Sequence, residues 1–454
     1  TSGRTAGRLG KRNGQSRRPS PPATRIFKRL PDGSGAYYDR AMPSPSPPKD
    51  LVIDPIDPHF YDAPRRAIEW LQRESPVHYY DPRPRYHTPA YILSKWQDVN
   101  TALGDIETYT TTDPVQEVQF HFEPEGFEET DFDPRLIRSA TPQISEGRAH
   151  TRLRRLVPLR PRSLRLMEPR LRALAREVID AIPPGEVIDY SKVVANRVPK
   201  LVVCELLGLT REQGEQTERW GQSMFASARP DGVADAAGMK EMLDVLDQLI
   251  EDHRTSPKDD LVSGLLEAEW QGERLDHDEI RMWCWALMLG GQDTTASSLA
   301  NGMQGLLEHP EQVTRLLSEP NRIPNAVEEQ LRWSTAIRYF NRTLRKDVHL
   351  HGQTLTAGSV VFLSLVAANF DSEVFERPFE FDVTRAFAQS HVAFGYGPHF
   401  CIGATLARLE MRMVLEELAA RFSKWELVEP ARPKTTGMSI VLNEPAELLV
   451  RFTP

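Results

Sequence analysis

The sequence predicts a mainly α-helical single domain with a small β part. Long apolar repeats at i, i+3/i+4 spacing, a few short β-rich runs set off by turn residues, and the absence of any internal repeat or linker beyond residue 50 all point that way. In chain order, residues 77–80 and 91–93, separated by a Pro-rich turn, read as a β-hairpin. Amphipathic stretches at 163–182, 198–225, 236–253, 278–308 and 325–333 read as helices. β signals return at 348–351 and 359–365 beside Gly352 and Gly358, a further helix follows Cys401, and 448–452 is strand-like.

Composition bounds the function. At 454 residues with 40% hydrophobic and 26% charged residues, the chain can bury a large core. A formal charge of −8 argues against a surface that binds nucleic acid as a whole. Cys204, Cys284 and Cys401 stand far apart with no CxxC spacing, so neither a zinc site nor a dithiol motif is signalled, and the sparse thiols suit a reducing, cytoplasmic setting. The longest apolar stretch, 282–291, is too short to span a bilayer, so no membrane anchor is expected. Residues 1–49 are rich in Arg, Ser, Gly and Pro and read as a disordered basic tail, leaving 50–454 as the folded domain.

Residues 391–404, HVAFGYGPHFCIGA, carry the chemistry. This is a glycine- and proline-bearing loop that delivers one cysteine to the start of a helix, where the dipole and free amides lower a thiol's pKa and suit it to a metal. Gly397 permits a tight turn, Gly403 a close backbone approach, and Phe394 can shield the sulfur. Residues 287–295, LMLGGQDTT, place two adjacent glycines inside a helix at a cost of roughly 1 kcal/mol each relative to alanine, which asks for a functional reason. Glu329 and Arg332, in EEQLR, share one helix face. Residues 148–165 hold Arg148, Arg152, Arg154, Arg155, Arg160, Arg162 and Arg165 without an acid.

Phe394, Gly397, Cys401 and Gly403, in the pattern FxxGxxxCxG, resemble the haem-binding signature of the cytochrome P-450 family. The resemblance spans residues 50–454 and implies that family's fold, haem b as cofactor, and Cys401 as the axial ligand of its iron. It implies that Thr294 hydrogen-bonds bound oxygen while Asp293 relays the protons that O–O cleavage needs. It further implies that His150, Arg154, Arg342 and His399 hold the haem propionates, and that Glu329, Arg332 and Arg385 brace the ligand loop. Gly290, Gly291, Ile337, Phe340, Met438 and residues 115–132 are expected to line the substrate pocket.

The activity so implied is oxidation, by hydroxylation or dealkylation, of a small to medium apolar organic molecule with O2 by a monomeric enzyme. Electrons would come from NAD(P)H through a ferredoxin reductase and a ferredoxin. A basic patch from the 148–165 arginines with Arg408 and Arg412 would receive the acidic ferredoxin, and nucleic acid is not an expected partner. The alternatives are a peroxide-driven peroxygenase, disfavoured by the Asp293–Thr294 pair, and a silent haem-fold protein that recruits partners.

Overall fold

A computed structural model gives the fold, and it describes residues 44–53, 64–80, 90–111, 141–226, 236–430, 432–433 and 445–454. Residues from Ala41 onward form one compact unit. Helix His277–Leu307 runs through it, started by a capping box in which Asp276 and Glu279 satisfy each other's backbone amides. It is buried along most of its length, which is why its sequence shows no one-sided apolar stripe. It packs on helices Arg197–Leu207 and Ile323–Ser334, and on helix Ala404–Arg421, which follows the cysteine loop.

Helix Pro161–Asp180 runs parallel to helix Ala404–Arg421. Arg412 meets Glu168 at 2.6 Å, Arg172 meets Glu416 at 2.7 Å, and Arg421 meets Asp180. Residues 161–166 are therefore level with the beginning of helix Ala404–Arg421, the end that follows the cysteine loop.

The main sheet orders strands Val77–Tyr80, Ala90–Leu93, Val360–Ser364, Tyr339–Leu344 and Tyr109–Thr110. Its central pair, Ala90–Leu93 with Val360–Ser364, is parallel, and its neighbours are antiparallel. Strand Tyr339–Leu344, absent from the sequence reading, carries Arg342 opposite Val361.

Two elements differ from expectation. The stretch 198–225 is two helices, Arg197–Leu207 and Arg211–Ala226, because Gly208 ends the first in the left-handed region at φ 71°. Residues 348–355 form a hairpin rather than one strand. His351 and Gly352, both at positive φ, turn Val348–Leu350 onto Gln353–Leu355. Upstream, Leu51 and Ile53 are core residues and Ser44 accepts a hydrogen bond from the Tyr79 amide at 2.6 Å, so the described chain already touches the fold before residue 50. No helix among the described residues is long and apolar enough to cross a membrane.

Candidate active site

The cysteine loop is built by its backbone. Gly397 sits at φ +70°, and a Cβ there would lie 2.8 Å from Gly104 Cα and 3.0 Å from Leu103 O, so no side chain fits. Cys401 N donates to Phe394 O at 2.9 Å, closing the loop on itself. Helix Ala404–Arg421 begins three residues after the cysteine with Gly403 as its N-cap. A Cβ on Gly403 would touch Cys401 Sγ at 3.8 Å.

Cys401 is the exposed thiol of the three, yet burial pushes its pKa up. A residue both accessible and densely surrounded opens onto an interior cleft rather than onto bulk water. The Gly403 and Ala404 amides and the charges of Arg154 and Arg408 pull the other way, so the helix-terminus effect expected from sequence is present but smaller than desolvation. Burial likewise pushes Cys204 up to about 11 and Cys284 up to about 12, as befits core thiols.

Four nitrogen-bearing side chains gather around this cleft. His150, on helix Gly147–Leu156, and His399 lie with ring centroids 4.3 Å apart, their planes tilted by 42°. The buried Nε2 atoms of both histidines, and Nε of Arg342, have no hydrogen-bond partner among the described residues. Arg154 has no ion-pair partner among the described residues. Burial, aided by mutual repulsion, lowers His399 to about 4, and burial lowers Arg342 to about 10, with His150 and Arg154 shifted the same way. Orphaned donors that have lost water without gaining an anion fit a dianion seated among them, as the two propionates of haem are. Cys401 fits its iron, since metal binding fixes a thiol as thiolate.

Beneath the loop, Glu329 and Arg332 are wholly buried and doubly bonded at 2.8 Å and 2.8 Å. Arg385 joins Glu329 at 2.9 Å. Their remaining donors hold carbonyls of Asn369, Pro378, Glu380, Arg377 and Glu376. Asn369, in the AAN run, accepts from Val392 N at 2.7 Å and donates to Thr335 at 2.9 Å, pinning the segment that enters the cysteine loop. Glu328 and His391 were not singled out from sequence. Glu328 accepts from Arg408 at 2.6 Å and from His391 at 3.2 Å, and Arg408 lies 4.6 Å above the Phe394 ring.

On the long helix, Asp293 and Thr294 are half-buried, and the Thr294 hydroxyl donates to Gly290 O at 2.5 Å. A Cβ on Gly290 would meet nothing within 4 Å, whereas one on Gly291 would meet Val203 Cγ2 at 3.2 Å. Gly290 therefore borders open space, while Gly291 serves contact with helix Arg197–Leu207. Ile337 and Phe340 are half-buried. Met438 and residues 115–132 lie outside the described residues.

The expected basic patch is smaller than the sequence suggests. Arg148 and Arg152 pair with Glu273 and Glu279, Arg408 with Glu328, and Arg412 with Glu168. Arg155, Arg160, Arg162 and Arg165 are exposed with no acidic partner among the described residues, and Arg162 and Arg165 share the first turns of helix Pro161–Asp180 with Leu166, which is 77% exposed.

Residues 234–451 match the family model described as Cytochrome P450. The chain is 32% identical over 389 residues to Putative cytochrome P450 126 of Mycobacterium tuberculosis, covering 81% of this chain and 90% of that one. It is 29% identical over 382 residues to Polyketide biosynthesis cytochrome P450 PksS of Bacillus subtilis, covering 83% of this chain and 93% of that one. Among solved structures, Cytochrome P450 CYP109Q5 from Chondromyces apiculatus superposes with a TM-score of 0.77 at 29% identity, over 88% of this chain and 98% of that one. The PksS structure gives a TM-score of 0.78 at 27% identity, over 89% and 100%. With the cysteine loop, the orphaned donors and the braced carboxylate in place, these likenesses show that the chain belongs to the cytochrome P450 family, whose members bind haem b and act as monooxygenases.

Proposed function

We propose that this protein inserts one atom of O2 into a small to medium apolar organic molecule, with electrons passed from NAD(P)H through a ferredoxin reductase and a ferredoxin. The observation that carries the reading is the cleft where Cys401 lies among His150, Arg154, Arg342 and His399, a thiol beside two arginines and two imidazoles whose donors are not satisfied. When bound there, haem supplies the redox chemistry that reduces O2 and transfers one oxygen atom.

The chain's own residues do the rest. Cys401 would hold the iron, and the two histidines and two arginines would hold the propionates by charge-assisted hydrogen bonds. Glu329, Arg332 and Arg385 keep the loop in register from below. On the long helix, the Thr294 proton is committed to Gly290 O. Its lone pairs are left to accept a hydrogen bond and so to orient a proton-bearing group in the groove. Asp293, next in sequence, is the group that exchanges protons with solvent. The net reaction consumes one substrate C–H bond, O2, two electrons and two protons, and yields an alcohol and water, so two protons must cross this turn per cycle. Gly290 gives room for the substrate, and Ile337 and Phe340 supply apolar wall.

The test is the spectrum of the reduced protein under CO. A strongly red-shifted Soret band is expected, as is its replacement by an imidazole-type spectrum in Cys401→His. An imidazole-type band in the unaltered protein overturns the assignment.

A further inference from the structure

Helix His277–Leu307 is weakest at its 290–294 turn. Two glycines adjoin there, and the Thr294 hydroxyl competes for the Gly290 carbonyl that would otherwise serve the helix ladder alone. Such a turn can tilt or overwind unless something outside holds it. It is held at two consecutive residues. Gly291 lies against Val203 of helix Arg197–Leu207. The next residue, Gln292, is 6% exposed, and its Oε1 lies 2.7 Å from Thr217 Oγ1 on helix Arg211–Ala226. Thr217 is 3% exposed, and its Oγ1 also lies 2.8 Å from Gly214 O.

A hydroxyl has one proton. If Thr217 gives it to Gln292, the carbonyl of Gly214 is left to its own helix. If Thr217 gives it to Gly214, the Gln292 amide turns its NH2 toward the hydroxyl. Either way the two buried groups satisfy each other.

We propose that Gln292 and Thr217 are positioning residues for the oxidation: their hydrogen bond fixes the phase of the 290–294 turn, and so the orientation of Asp293 and Thr294, and ties both to the seating of helix Arg211–Ala226. This rests on the reading of Asp293 and Thr294 given above.

The probe is CO bound to the reduced holoenzyme, whose C–O stretching band senses polar groups across the groove. Thr217→Val and Gln292→Leu, which keep volume and lose the bond, should each shift or split that band. Amide exchange across residues 288–296 should quicken by about tenfold, the equivalent of one buried hydrogen bond. Thr217→Ser should restore both readouts, and the double variant should be no worse than either single one. If the variants lose thermal stability while the band and the exchange stay as in the unaltered protein, the pair is packing alone and the proposal is overturned. Thr294→Ala serves as the reference. If it leaves the band unmoved, the reading of Thr294 itself falls. If it moves the band and Thr217→Val does not, only the positioning role falls.

Discussion

Glu328 shows how one carboxylate is held ionised inside this fold. Burial works against its charge, but hydrogen bonds from His391 and Arg408 outweigh that and hold its pKa down to about 2. A depressed carboxylate stabilises the folded state above its ordinary pKa and loses that contribution as pH falls toward the depressed value. Glu328→Gln should therefore cost about 1–2 kcal/mol at neutral pH, allowing for solvent screening of a partly exposed group. The gap between variant and parent in thermal unfolding should narrow between about pH 5 and pH 3. An equal gap at pH 3 and pH 7 would show that ionisation of Glu328 is not what matters. Thr294→Ala should keep haem while electrons drain into hydrogen peroxide, so that product per NAD(P)H falls by at least about tenfold. Unchanged coupling would remove Thr294 from proton delivery. Cys401, His399, His150 and Arg154 were legible in sequence because their spacings are local. Glu328 was not, since its partners lie 63 and 80 residues away and its neighbour Glu329 is identical in type.

At the scale of elements, the cysteine loop offers a controlled comparison. Gly395 and Gly397 share φ +70°, but a Cβ on Gly395 would find its nearest neighbour at 3.7 Å, against 2.8 Å to backbone for Gly397. Gly395→Ala should cost about 1–2 kcal/mol, the conformational strain alone. Gly397→Ala should cost that plus the displacement of residues 103–104, on the order of 3 kcal/mol or more. Equal losses in thermal unfolding would mean the close approach to Gly104 is not rigid. The long helices were legible from their periodicity. Strand Tyr339–Leu344 was not, because nearly all of it is buried and no in–out alternation survives to announce it. The helix break at Gly208 was passed over because the two helices follow each other with only residues 208–210 between them, so they read as one stretch.

For the whole molecule, counting arginines overstated the free positive charge, because ion pairing is a tertiary property that sequence spacing does not reveal. The docking surface proposed for the ferredoxin narrows to Arg155, Arg160, Arg162 and Arg165 with Leu166, at the end of the parallel helix pair that follows the cysteine loop. Haem reduction by ferredoxin should slow as ionic strength rises, and Arg162→Glu/Arg165→Glu should slow it by on the order of tenfold at low salt. Leu166→Ala should weaken docking with little change in salt dependence. Rates flat with salt and indifferent to the charge reversal would place the donor elsewhere.

The four nitrogen-bearing side chains gathered near Cys401 also bear on how long the protein lasts. Without a dianion, the desolvation of the two arginines and the unmet hydrogen bonds of the two imidazoles weigh against the folded state, so cofactor capture and folding form one linked equilibrium. A ligand at a hundredfold excess over its Kd adds about 2.7 kcal/mol, comparable to a large part of a domain's net stability. Cells short of haem would then hold less of this protein at unchanged synthesis, because the cofactor-poor chain opens more often to proteases. Abundance would track the supply of the prosthetic group.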